Sequence, residues 1–210
     1  MLAQVGTTDL SDALDRLGIP GQCAGIMPLS RSFQLSGRAW TLRYGPVGQD
    51  GGSVGDYIDD LGNDDVVVLD NSGRVDATVW GDILTFTASR RKIAGTVIDG
   101  ICRDVDRSIQ LNYPIFCRGN WMRTGKDRVR LEATQVAVSI GGIRVEPGDY
   151  LRGDADGVVA VPRGRAREVL MIAAEIQAVE DRIRAAVDGG QDLRSAREAH
   201  RYHQLQTRQR

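Results

Sequence analysis

A seven-residue apolar run, AGTVIDG from Ala94 to Gly100, is bracketed by two acid-bearing turns. Ahead of it, Gly81-Asp82 opens a helical stretch, DILTFTASRRK. Behind it, Arg103-Asp104 opens a second one, DVDRSIQLN. Twenty residues lie between Asp82 and Arg103, about the length of one helix plus one strand. The unit is therefore expected to be strand–helix–strand, with both turns at the same end of a sheet. Short apolar runs of this kind are buried in parallel or mixed sheets, so the chain is read as α/β. Two carboxylates, one guanidinium and two sets of helix N-terminal amides would then share one sheet end. A metal and an anionic substrate can both bind at such a place.

Each acid taken singly has a plain reading. Asp82 and Asp104 both stand at helix starts, where a cap or first-turn acid is worth about 1 kcal/mol. Arg103 favours the other reading. A guanidinium just ahead of a helix N-terminus adds positive charge where the dipole is already positive, which stabilises little and receives a carboxylate well. Two acids beside it are then explained by a divalent cation. Hard oxygen ligands without histidine suit Mg²⁺ or Mn²⁺ rather than Zn²⁺.

The residues that are scarce restrict the chemistry further. The two histidines, His200 and His203, both fall in the C-terminal tail, which excludes a His-rich zinc site or a Ser-His-Asp triad in the body of the chain. Lys92 and Lys126 are the two lysines against 25 arginines, and neither sits in the apolar setting that Schiff-base chemistry needs. Cys23, Cys102 and Cys117 have no CxxC spacing and read as buried, reduced thiols of a cytoplasmic protein. A formal net charge of −1 gives no reason to expect a nucleic-acid or membrane partner, and neither a signal peptide nor a membrane span is expected.

The rest of the chain fits one domain with an extension. TTDLSDALDRLG reads as a helix capped by Thr7 or Thr8 and ended by Gly18. GRAWTLRY, DVVVLDN, VDATVWG and PIFCRG read as strands, and residues 134–162 as strands and turns. The Gly-rich residues 45–56 are either a mobile loop over a site or a flexible connection, and they lack a P-loop pattern. Residues 1–163 are expected to form the α/β domain and residues 164–210 a helical extension. In that extension Val169, Ile172, Ala173, Ile176, Val179, Ile183 and Val187 form an apolar stripe. Gly189-Gly190 stops this helix, and a basic helix or frayed tail follows over residues 191–210.

TTDLSDALDRLG, VVVLDN, WGDIL, VIDGICRD and PGDYLRGDADGVVAVP together resemble the RraA-like family, which includes 4-hydroxy-4-methyl-2-oxoglutarate aldolases that also act on 4-carboxy-4-hydroxy-2-oxoadipate. The resemblance implies a swivelling-type β/β/α domain with a long C-terminal helix, assembled as a homotrimer or homohexamer with active sites between subunits. It implies a class II aldolase, a carbon–carbon lyase that uses Mg²⁺ or Mn²⁺ to release pyruvate from small 4-hydroxy-2-oxo acids, with oxaloacetate decarboxylation as a side activity. By the same resemblance Asp104 would ligate the metal and Asp82 would hold a water on it. Arg103 would grip the pyruvoyl group, and the Gly81-Asp82 turn with the Ile83 and Leu84 amides would receive its carboxylate. An acid from a neighbour's C-terminal helix, Glu175 or Glu180, would complete the site, and the length of the apolar stripe agrees with a helix that reaches a neighbour. Two features depart from the aldolases. Position 107, three beyond Asp104, is arginine where an acid is common, and residues 45–56 have no clear counterpart. Other relatives implied by the resemblance are non-catalytic proteins that bind and inhibit ribonuclease E.

Overall fold

The computed structural model describes residues 2–49, 51–202 and Leu205, so His203 and residues 206–210 of the expected tail lie outside the described residues. Helix α1 (Thr7–Leu17) is followed by strands β1 (Met27–Pro28), β2 (Leu35–Pro46) and β3 (Asp65–Arg74). Next come α2 (Asp82–Arg90), β4 (Gly95–Cys102), α3 (Val105–Gln110) and β5 (Ile115–Asn120). Strands β6 (Val129–Thr134), β7 (Val138–Ile140), β8 (Ile143–Val145), β9 (Tyr150–Asp154) and β10 (Gly157–Val161) precede helices α4 (Ala166–Asp188) and α5 (Leu193–Ala199).

The main sheet runs β1-β5-β4-β3-β2-β9-β10, with β6 also paired to β2. Strands β2 to β5 are parallel, which is the α/β core expected from their apolar runs. Its ends approach where β1 comes beside β10, so the sheet is barrel-like and nearly closed. Strand β2 serves two partners along one edge, pairing with β9 through Leu35–Arg38 and with β6 through Leu42–Pro46. The β7–β8 hairpin forms a separate small sheet. Two buried acids fasten it to the main sheet: Asp70 accepts from the Ser139 N–H at 2.9 Å and Asp99 from the Gly141 N–H at 2.8 Å.

Several expectations are corrected. VDATVWG is not a strand. Arg74 folds back onto Asp76 with two hydrogen bonds of 2.9 and 3.0 Å and onto the Arg128 carbonyl at 2.9 Å, which takes the chain out of the ladder. Strand β6 was not anticipated, because only its Val129 is fully buried and the rest alternates at a sheet edge. Neither Thr7 nor Thr8 caps α1; Gly6 is the cap residue. The Thr7 N–H and hydroxyl instead donate to Asp154 at 2.9 and 2.6 Å, so an acid 147 positions away satisfies the helix start.

The apolar stripe of α4 is covered by this chain itself. Val169, Ala173 and Ile176 pack with Leu10, Ala13 and Leu14 of α1, each valine, leucine or isoleucine among them worth about 1.5–3 kcal/mol when buried. Val179 and Ile183 pack with Ala196 of α5 and with Leu205. Val187, 40% exposed, is the member left over. Stripe length alone is therefore no argument for a helix that reaches a neighbour. Among the described residues no helix is long and apolar enough to cross a membrane.

Candidate active site

The two acid-bearing turns meet. Strand β4 delivers Arg103 and Asp104 at its C-terminal end, and the Arg103 N–H donates to the Trp80 carbonyl at 3.1 Å. Trp80 is itself fixed: its ring nitrogen donates to Thr85 Oγ1 at 2.8 Å, and it stacks on Tyr113 with centroids 6.2 Å apart. Asp104 adopts a left-handed backbone, φ 59° and ψ 43°, which an aspartate tolerates better than most residues. That bend sits at the start of α3, yet its carboxylate makes no bond to α3.

Asp104 caps the other helix. Its Oδ2 accepts from the Asp82 N–H, at the start of α2, at 3.0 Å and lies 3.4 Å from Arg103 Nε. The plain reading of Asp104 as a cap is thus correct in kind and wrong in target. Asp82 accepts from the Ile83 N–H at 2.8 Å. The Ile83 amide, expected to receive the substrate carboxylate, is thus partnered here by a protein carboxylate. Among the three first-turn amides of α2, Leu84 alone has no protein acceptor among the described residues. Gly81 makes room for the cluster, since a Cβ there would stand 2.9 Å from Asp104 Oδ2 and 3.1 Å from Arg103 Nε.

Asp82 and Arg103 stand between two lobes of one depression. The tighter lobe, about 320 Å³, has Gly81 to Leu84 on one wall and Ser53 to Asp56 of the Gly-rich segment on another. Residues 124–126 close it, held by Thr78, whose N–H and hydroxyl both donate to the Arg123 carbonyl. Of the two readings of the Gly-rich residues 45–56, Ser53 to Asp56 fit the loop over a site, whereas residues 124–126 carried no signal in the sequence. The wider lobe, about 860 Å³, also holds Asp104, with α3 and the end of β5 as its walls. Exposed apolar side chains stand around the rim, with Ile83 76% and Met122 70% accessible beside Phe86 and Trp121.

The chemistry available is that of carboxylate, guanidinium and backbone amide. The thiol beneath the turn is excluded: the neighbouring Cys117 Sγ, 3.9 Å away, and burial both push the Cys102 thiol up, so it stays protonated. Burial likewise pushes Cys23 up to about 12. Among the described residues no group of three or more His, Cys, Asp or Glu side chains could hold a metal ion. The donor set nevertheless suits a hydrated Mg²⁺ or Mn²⁺. Such ions are often held by one or two carboxylates, with water and substrate oxygens completing the shell. Asp104 Oδ1 has no hydrogen-bond partner among the described residues and Asp82 lies alongside. The structure does not bring Glu175 or Glu180 to this depression within one chain. Glu175 pairs with Arg16 of α1 and Glu180 with Arg184, each at 3.2 Å.

Known proteins share the family and the fold of this chain. The RraA-like (Aldolase/RraA) family model matches residues 7–160. A Halalkalibacterium halodurans protein with the provisional name 4-hydroxy-4-methyl-2-oxoglutarate aldolase is 35% identical over 91% of this chain and 89% of its own length. Protein DlpA of Legionella pneumophila is 40% identical over 97% of this chain, which spans about a third (34%) of DlpA's length. Among solved structures, an uncharacterized Pseudomonas syringae protein superposes with a TM-score of 0.87 at 42% identity, covering 93% of this chain and 96% of that one. RraAS2 of Streptomyces coelicolor, described as an unusual member of the RNase ES inhibitor RraA family, gives 0.81 at 29% identity, covering 86% and 92%.

Proposed function

The chain belongs to the RraA-like family, and we propose that it is a divalent-metal-dependent aldolase that releases pyruvate from 4-hydroxy-2-oxo acids. The observation that carries the reading is the hydrogen-bonded cluster of Asp82, Arg103 and Asp104 at the C-terminal end of β4. A protein that only binds a partner has no physical need for two acids beside that arginine.

In this reading Arg103 and the Leu84 N–H hold the carboxylate of the 2-oxo acid, a planar anion that suits the guanidinium fork. Asp104 would hold Mg²⁺ or Mn²⁺, whose Lewis acidity would draw electron density from the bound oxo acid. Asp82 takes the proton of the C4 hydroxyl, directly or through a water. As that oxygen becomes a carbonyl, the C3–C4 bond breaks and its electron pair stays on C3 of the pyruvate fragment. Return of the proton to C3 gives pyruvate. Loss of CO₂ from oxaloacetate leaves the same fragment, so decarboxylation is the expected side reaction.

We place the active assembly as a homotrimer or homohexamer, supported by the apolar rim around the depression. A neighbour's Glu175 or Glu180 would then complete the site, after release from its own ion pair. The test is pyruvate release from a panel of 4-hydroxy-2-oxo acids and oxaloacetate. Activity should vanish in EDTA and return with Mg²⁺ or Mn²⁺. Full activity in excess chelator overturns the metal-dependent reading. No pyruvate from any substrate favours the ribonuclease-inhibitor reading, which the name of the Streptomyces neighbour supports.

A further inference from the structure

The wider lobe exceeds what a pyruvoyl group fills, and its lining includes a second guanidinium. Arg107 stands one turn beyond Asp104, its N–H donating to the Asp104 carbonyl at 3.1 Å. Its guanidinium carbon lies 5.6 Å from the centroid of the Phe86 ring on α2. A cation over an aromatic face is held in place without being neutralised. Among the described residues no carboxylate pairs with Arg107, whereas Arg103 in the same lobe is paired with Asp104. Gln110 and Asn120 line the lobe beside it and offer amide donors.

Charge decides what this arrangement admits. Without Arg107 the lobe would present Asp82, Asp104 and Asp106 against one guanidinium, and would repel the far end of a dianion. With it, a substrate gripped by Arg103 meets a second positive group in the same lobe. We propose that Arg107 receives a second carboxylate, carried on the part of the substrate remote from the keto acid, and so selects dicarboxylic over monocarboxylic 2-oxo acids. This rests on the 2-oxo acid reading of the site given above.

The test compares two acids of equal length that lack the 4-hydroxyl and so are not cleaved: 2-oxoglutarate, with a distal carboxylate, and 2-oxopentanoate, without one. Their affinities are measured by calorimetry on the full chain with Mg²⁺ present. The unaltered protein should prefer the diacid by roughly fivefold to tenfold, the range for an accessible charge-assisted contact. In Arg107→Ala the affinity ratio should fall toward one, and Arg107→Lys should keep part of it. Arg103→Ala should weaken both acids together. A diacid preference that persists in Arg107→Ala, or is absent from the unaltered protein, overturns the proposal while leaving the 2-oxo acid site intact. Failure of both acids to bind the unaltered protein overturns both the proposal and the 2-oxo acid reading.

Discussion

Replacing Gly81 by alanine separates the active cluster from the fold. At φ −151° and ψ −165° the Gly81 backbone is extended and open to any residue, so the substitution carries no backbone strain. The new methyl would nevertheless sit 2.9 Å from Asp104 Oδ2 and 3.1 Å from Arg103 Nε. To reach ordinary van der Waals contact the carboxylate must retreat by about half an ångström and the guanidinium by somewhat less. The displaced oxygen loses its hold on the Asp82 N–H, a cap worth about 1 kcal/mol. In a chain of this length that lowers Tm by about 2–4 °C. Catalysis should suffer more, since a misplacement of an ångström costs about a hundredfold and half that distance about tenfold. We expect kcat/KM for pyruvate release, read by coupled reduction of pyruvate, to fall about tenfold while the melt shifts only slightly. Activity within twofold of the unaltered protein would refute the argument that these side chains act as a spatially fixed set.

Asp104→Ala should abolish Mn²⁺ binding, followed by electron paramagnetic resonance, and lower Tm by about 2–4 °C; unchanged Mn²⁺ affinity would show the ligand assignment wrong. Arg103→Lys keeps the charge but loses the fork, so kcat/KM should drop by about tenfold or more while Mn²⁺ still binds. Glu175→Gln or Glu180→Gln should lower turnover, and mixed assemblies with Asp104→Ala subunits should regain activity; no regain after proven mixing counts against a cross-subunit acid. Asp154 gives a pH test. Burial would raise its pKa, but hydrogen bonds from the Thr7 hydroxyl, the Thr7 N–H and the Asp156 N–H outweigh burial and lower it. A depressed carboxyl contributes stability that is present above its unfolded pKa near 4 and lost as pH falls through the folded value. The urea-midpoint advantage over Asp154→Asn should therefore shrink below about pH 4, and a constant difference would contradict the assignment.

Local patterns carried much of this architecture. The apolar runs of β3 and β4 could only be buried strands, and the acid at the start of α2 marked a helix start correctly. What failed depended on partners distant in sequence. Asp104 reads as the cap of the helix that follows it, but space assigns it to α2, through a bond spanning 22 positions. Thr7 has the right chemistry for a cap, and Asp154 supersedes it. VDATVWG has strand composition without a strand to pair with, because β propensity expresses fit to a sheet rather than a preference of the backbone. The covering of the α4 stripe was equally hidden: a stripe states that something packs on it, and α1 and α5 are what does. The wall made by Ser53 to Asp56 has no motif at all and exists only once the sheet places it opposite Gly81.

The double service of β2 has a bearing on how the chain is made. Leu35, at its start, accepts a hydrogen bond from Arg152, 117 positions later. A chain synthesised from its N-terminus completes β2, β3 and β4, and with them Arg103 and Asp104, long before β9 exists to lie along β2. Through that interval one stretch of β2 has no neighbour on that side, and an open strand edge is a template for a foreign chain. Contacts so distant in sequence also delay closure, so folding in milliseconds to seconds or slower is expected, with a chaperone or prompt assembly guarding the unfinished edge.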